Sequence, residues 1–135
     1  MSEGAVRKIG EVAEATGLSI RTLRHYDELG LVVPSGHTAG GFRLYTDDDV
    51  ERLLLVRRMK PLGFSLERMK QFLQATDVLA AGRRPQAGES GSEERRAARA
   101  TVEEIHAEAE ARYRDLQTHL AYGAEFLQLV RERLD

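Results

Sequence analysis

Residues Ile9 to Tyr45 read IGEVAEATGLSIRTLRHYDELGLVVPSGHTAGGFRLY. The middle of this stretch, Ser19 to Leu29, follows a helical period. At about 100° per residue, Ile20, Leu23 and Tyr26 gather on one side and Arg21, Thr22, Arg24 and His25 on the other. Ser19 is a good N-cap, and Gly30 stands where a C-terminal stop belongs. The helix before it, Gly10 to Thr16, ends at Gly17, so Gly17 and Leu18 are left to make the turn. Two short helices joined by a tight Gly-containing turn predict a helix-turn-helix. The second helix, with its outward row of Arg, Thr and His, is the candidate reader of the DNA major groove.

Outward from this pair, Val32-Val33-Pro34 and Phe42-Arg43-Leu44-Tyr45 predict two short strands joined by the turn-forming run Ser35 to Gly41. Alternation along the second strand sends Phe42 and Leu44 one way and Arg43 and Tyr45 the other. The hairpin is a plausible wing that holds phosphates through Arg43 and Tyr45, with His37 near its tip. Thr46 to Lys60 predicts a third helix, with Asp47, Asp48 and Asp49 suiting its positive end and Thr46 its N-cap. Its expected buried set is Val50, Leu53, Leu54, Val56 and Met59, and Pro61 and Gly63 end it. Ser65 to Gln74 predicts a fourth helix with Leu66, Met69, Phe72 and Leu73 inward. Val12, Ile20, Leu23, Leu31 and Phe42 complete one small shared core.

Several blocks occur in order: Gly10 to Ala13 (GEVA), Ser19 to Asp27 (SIRTLRHYD), Gly30-Leu31, Pro34, Gly41 to Tyr45 (GFRLY) and Leu62 to Leu66 (LGFSL). Together they resemble the successive blocks of the MerR family of transcription regulators across about the first half of the chain. The resemblance implies a homodimer on pseudo-palindromic promoter DNA whose core elements lie too far apart. The dimer kinks and untwists the spacer so that RNA polymerase engages both elements, a use of DNA deformation energy. The DNA-contacting residues it suggests are Ser19, Arg21, Thr22, Arg24, His25 and Tyr26 on the helix, and His37, Phe42, Arg43 and Tyr45 on the wing. His25 departs from the family, which commonly has Tyr there. An imidazole can gain charge at mildly acidic pH, so DNA binding is expected to tighten as pH falls toward about 6, an effect lost in His25→Gln. The wing tip is less basic than is usual in the family, which shifts weight to the helix.

The chain has 135 residues and a net charge of −2. Residues 1–75 carry 11 Lys or Arg against 10 Asp or Glu, and residues 76–135 carry 9 against 12. Basicity alone would therefore not suggest nucleic acid, whereas the acid-free run from Ile20 to Tyr26 does. There is no Cys, which removes disulfides, thiolate metal sites and thiol redox sensing. No signal peptide or membrane-length apolar run is found, so a cytoplasmic protein is expected, nucleoid-associated when DNA-bound.

The run AGRRPQAGESGS, Ala81 to Ser92, predicts a loop or hinge. From about Glu93 a long helix follows, its apolar positions Ala98, Val102, Ile105, Ala109, Tyr113, Leu116 and Leu120 stepping by three and four. Such a narrow seam suits the pairing of two long helices. Family resemblance implies an antiparallel coiled coil with the chain's twin, with Val102, Ile105, Ala109, Tyr113, Leu116 and Leu120 in the dimer contact. Gly123 is expected to break the helix, leaving a short amphipathic tail with Phe126, Leu127, Val130 and Leu134. Tyr113, Tyr122 and Phe126 are candidates for a small effector pocket, although ordinary packing explains them as well. His106 with Glu103 and Glu110 is a weak metal motif that chance accounts for, so no metal and no cofactor is expected.

The expected fold is mainly α: a winged helix-turn-helix of four helices plus a β-hairpin wing, a long coiled-coil dimerisation helix and a short terminal helix. The expected division is a DNA-binding domain over 1–75, a hinge over 76–92 and a dimerisation segment over 93–135. The expected function is a sequence-specific regulator, with or without a small-molecule effector at the dimer interface. Two other readings stay open: an effector-independent architectural protein that bends DNA, and an interaction protein whose C-terminal helices dock another partner. Without Cys, a nucleotide loop or a His–carboxylate site, an enzyme is not expected.

Overall fold

A computed structural model describes residues 6–82 and 91–135. Strand β1 (Val6–Lys8) leads into α1 (Ile9–Thr16) and α2 (Ile20–Glu28), followed by β2 (Gly36–His37) and β3 (Arg43–Thr46). Helix α3 (Asp47–Met59) and a 3₁₀ turn (Lys60–Leu62) precede α4 (Leu66–Gly82) and α5 (Ser92–Leu134). By internal packing the chain divides into Met1–Leu73 and Gln74–Asp135.

The first unit follows its local signals. Gly17 takes a left-handed φ of 75° at the end of α1, which glycine adopts without steric cost. Thr16, fully buried, braces this corner: its hydroxyl donates to the Val12 carbonyl at 2.8 Å and accepts from the Leu18 amide at 3.2 Å. Arg57 of α3 donates to the Thr16 carbonyl at 2.6 Å, so a distant cation satisfies the end of α1. Ser19 caps α2 by accepting from the Thr22 amide at 3.0 Å, and Gly30, at φ 70°, turns the chain out of it. Val12, Leu23, Tyr26, Leu53, Val56, Met69 and Leu73 are buried together with Leu31 and Val32.

The sheet is antiparallel, in the order β1-β3-β2, with Val6 opposite Thr46 and His37 opposite Arg43. The strand expected at Val32-Val33-Pro34 does not form. Leu31, Val32 and Pro34 instead plug the core as irregular chain, and pairing with β3 starts only at Gly36. Thr46 and Asp49 form a reciprocal capping box at the start of α3. Asp49 is buried and also accepts from the Ser35 amide at 2.9 Å and the Ser35 hydroxyl at 2.8 Å. One carboxylate thus ties the entry of the wing to the start of α3. Within α3 the expected buried set holds except for Leu54, which is half-buried. Ile20, Phe42 and Leu66, expected in the core, are exposed.

Two helices outrun their expected ends. Helix α4 continues through Thr76 to Gly82, so the expected hinge over 76–92 is helical at its beginning; residues 83–90 lie outside the described residues. Leu79, Ala80 and Ala81 are good helix formers, and a change in composition is not in itself a stop. Helix α5 runs 43 residues without interruption through Gly123, so no separate terminal helix exists. A lone glycine costs a helix interior only about 1 kcal/mol relative to alanine, and Ala, Glu, Leu and Gln around it sustain the helix. No helix among the described residues is long and apolar enough to cross a membrane.

Candidate nucleic-acid interface

Helix α2 presents its polar face as the pattern of residues requires. Leu23 and Tyr26 point inward and are buried, while Arg21, Arg24 and His25 are exposed. Arg21, Thr22, Arg24 and His25 line one open recess along the outer side of the helix, and Glu28 closes its far end. Glu28 was not anticipated as part of this face. One turn beyond Arg24 on the same side, its position made it legible. Ser19 and Thr22 are joined hydroxyl to hydroxyl at 2.9 Å, besides the capping bond, so both serve the start of the helix. Tyr26 is only 3 % exposed, and burial pushes its phenol above the ordinary range. Its ring belongs to the core, as the helical period predicts.

The wing differs more from expectation. Tyr45 is completely buried and its hydroxyl has no hydrogen-bond partner among the described residues. It is a core residue and offers no surface to a phosphate. The expected faces of β3 are exchanged: Tyr45 points into the protein because β3 lies between β1 and β2 with one side over the core. Phe42 precedes β3, is 70 % exposed, and lies against Gly40 at the tip. Thr38 builds that tip: its carbonyl accepts from the Gly41 amide at 2.9 Å, its hydroxyl from the Phe42 amide at 3.1 Å, and its own amide donates to the Phe42 carbonyl. His37, on β2, is exposed.

Arg43 is half-buried and reaches α2. Its Nε donates to Asp27 Oδ2 at 2.7 Å, and this bond is the leading cause that raises the guanidinium above its ordinary range. The wing strand and the reading helix are therefore fastened by one charge-assisted bond. The two partners lie 16 positions apart, so no local pattern around Asp27 points to this bond.

In the second unit, Ile105, expected in the dimer contact, is only 4 % exposed in a single chain and so is largely covered by its own chain. Val102 and Ala109 are half-buried, whereas Tyr113, Leu116 and Leu120 are exposed. The expected effector pocket is not assembled in the chain. Because α5 passes straight through Gly123, Tyr113 and Tyr122 stand on opposite sides of the helix, nine residues at about 100° each. Phe126 does line an open apolar recess, with Leu120, Gly123 and Leu127. Among the described residues no group of three His, Cys, Asp or Glu is placed to hold a metal ion, and His106 pairs with Glu110 at 3.0 Å.

Comparison with known proteins agrees with this geometry. Residues 7–76 match the model of the MerR HTH family regulatory protein. The nodulation protein NolA of Bradyrhizobium elkanii is 43% identical over 72 residues, 53% of this chain and 33% of that protein. The HTH-type transcriptional activator mta of Bacillus subtilis is 47% identical over 66 residues, 49% of this chain and 26% of that protein. The chain thus spans about a quarter to a third of the length of these curated relatives. Among solved structures, the N-terminal part of the Bacillus subtilis multidrug transporter activator, MtaN, superposes with a TM-score of 0.54 at 29% identity, covering 95% of this chain and 97% of that one. HiNmlR, described as a MerR family regulator lacking the sensor domain and bound to promoter DNA, gives a TM-score of 0.59 at 27% identity, covering 96% and 88%.

Proposed function

The chain belongs to the MerR HTH family of regulatory proteins, and on that footing we propose that it binds promoter DNA as a homodimer and controls transcription. The observation that carries the reading is the α2 face: Arg21, Thr22, Arg24 and His25 surround one open recess beside a wing fastened by Arg43 and Asp27. In this reading α2 enters the major groove, Arg21 and Arg24 contact base edges or phosphates, and the exposed Phe42 and His37 of the wing reach the adjacent backbone. Dimerisation through the exposed part of α5 places two such heads on one pseudo-palindromic site. Protein contacts on both half-sites supply the energy to kink and untwist the spacer, which realigns the promoter for RNA polymerase. That a family member of similar fold has been solved bound to promoter DNA supports DNA contact by this chain.

The test is genome-wide binding of the tagged protein beside Arg21→Ala. A few promoter peaks containing an inverted repeat, lost in the variant, support the regulator. Broad coverage of the chromosome rejects it in favour of an architectural DNA-bending role, and peaks indifferent to Arg21 reject the assignment of the reading face.

A further inference from the structure

Glu28 ends α2 on the side that carries Arg21, Arg24 and His25, and it brings an acid to the recess those residues line. Its side chain is exposed. Helical geometry does not favour it there. The last turn is the negative end of a helix, where a carboxylate is repelled. An acid four residues after an arginine also has the weaker order for an ion pair along a helix. Among the described residues the Glu28 carboxylate accepts no hydrogen bond and has no cation within ion-pair distance. Arg43 gives its Nε to Asp27, and Glu28 is the last of the causes that raise that guanidinium. The Lys70 ammonium stands beside Gly30, past the end of the helix.

A carboxylate without a partner in its own chain is costly on a face that docks on DNA. Phosphates repeat at about 3.4 Å along each strand and repel it, and closing the interface strips its water. The major groove holds one kind of group that offsets this loss, an exocyclic amino donor. Cytosine presents its N4 amino group with no acceptor beside it on the same base, and a glutamate is suited to accept from it. Adenine sets the acceptor N7 next to its amino group, guanine shows two acceptors, and thymine shows an acceptor and a methyl group. Seven residues separate Glu28 from Arg21, about 10.5 Å along the helix axis or about three base-pair steps.

We infer that Glu28 is a specificity-determining residue of the DNA face: its carboxylate accepts from the N4 amino group of a cytosine within about three base pairs of the position met by Arg21, and it disfavours duplexes that present none there. The inference rests on the α2 reading face proposed above and assigns it a selective element. Arg21 and Arg24 attract any duplex, whereas Glu28 discriminates by repulsion.

The full chain is offered a randomised duplex library, and the selected half-site is then titrated base by base by fluorescence anisotropy. Wild type requires one cytosine per half-site near the position met by Arg21, any other base there raising Kd roughly 5- to 100-fold. Glu28→Ala reduces that penalty to about twofold or less and tightens binding to an unrelated duplex by about threefold or more. N4-methylcytosine at the same position keeps its pair with guanine but replaces the groove-facing N–H by a methyl group. It weakens wild type by the same roughly 5- to 100-fold and leaves Glu28→Ala indifferent, a coupling that a carboxylate serving only the fold does not produce. A selected half-site with no required cytosine, a Glu28→Ala variant that keeps the requirement, or one that weakens all duplexes equally overturns the inference. Arg21→Ala separates this failure from a failure of the reading face. Binding lost in Arg21→Ala with base preferences unchanged in Glu28→Ala overturns the role of Glu28 alone, and indifference to both substitutions overturns both.

Discussion

Arg43 on the wing strand donates from Nε to Asp27 on the reading helix at 2.7 Å, with both side chains less than a third exposed. This single bond joins two elements 16 residues apart, each of which supplies part of the proposed DNA surface. It ties the wing to α2 and engages the Nε of the guanidinium that strand alternation turns outward.

Replacement of either partner is therefore expected to act through stability. Asp27→Asn and Arg43→Gln each lower the free energy of unfolding by about 1–2 kcal/mol, because each leaves a partly buried group without its charged partner. The double variant shows a coupling of about 1 kcal/mol in denaturant titrations. The salt dependence of DNA binding stays unchanged in Arg43→Gln. A fall of about one in the slope of log K against log salt would make Arg43 a phosphate ligand after all.

Arg21 and Arg24 contrast with Arg43, since both are exposed on the outer face of α2. Alanine at either leaves the melting temperature nearly unaltered and weakens DNA binding by about 1–3 kcal/mol. Titration against salt sorts the two roles. A phosphate contact lowers the slope, whereas a base contact lowers affinity for the cognate sequence alone.

Tyr45→Phe removes a buried hydroxyl that lacks a partner among the described residues and is expected to raise stability by about 1 kcal/mol at neutral pH. Burial first, then the charges of Asp27 and Asp49 against that of Arg43, hold the Tyr45 phenol above its ordinary range. In the unfolded chain the phenol ionises near pH 10, before it does so in the folded protein. Above about pH 10 the unfolded state binds fewer protons than the folded one, so stability is intact below that pH and falls as pH rises past it. Tyr26, raised by burial as well, behaves in the same sense. Thermal melts from neutral to alkaline pH therefore show a shallower alkaline decline in Tyr45→Phe than in wild type. An identical decline would mean that Tyr45 is not the burdened group.

Asp49 accepts from the amides of Ser35 and Thr46 and from the Ser35 hydroxyl. Asp49→Ala loses the capping box of α3 and the tether of the wing together, an expected cost of about 2–3 kcal/mol. Asp48→Ala, one residue earlier and exposed, changes stability by about 0.5 kcal/mol or less. Equal effects in chemical denaturation would contradict the tether.

What the sequence by itself determined is local. The turn between α1 and α2 was legible because Gly17, Ser19 and Gly30 act on their immediate neighbours, through backbone freedom and capping. The α2 face was legible because helical periodicity alone separates Leu23 and Tyr26 from Arg21, Arg24 and His25. The tertiary structure decided what depends on distant partners. Alternation told that Arg43 and Tyr45 lie on opposite sides from Leu44, but which side faces the core depends on where the helices pack against β3. Phe42 was therefore drawn inward in error and Tyr45 outward. Asp27 and Asp49 gained their roles only when folding brought Arg43 and Ser35 to them. Gly123 reads as a stop because glycine weakens a helix. A single weak residue loses to the cooperative hydrogen bonding of the 43-residue α5, so the helix continues through it.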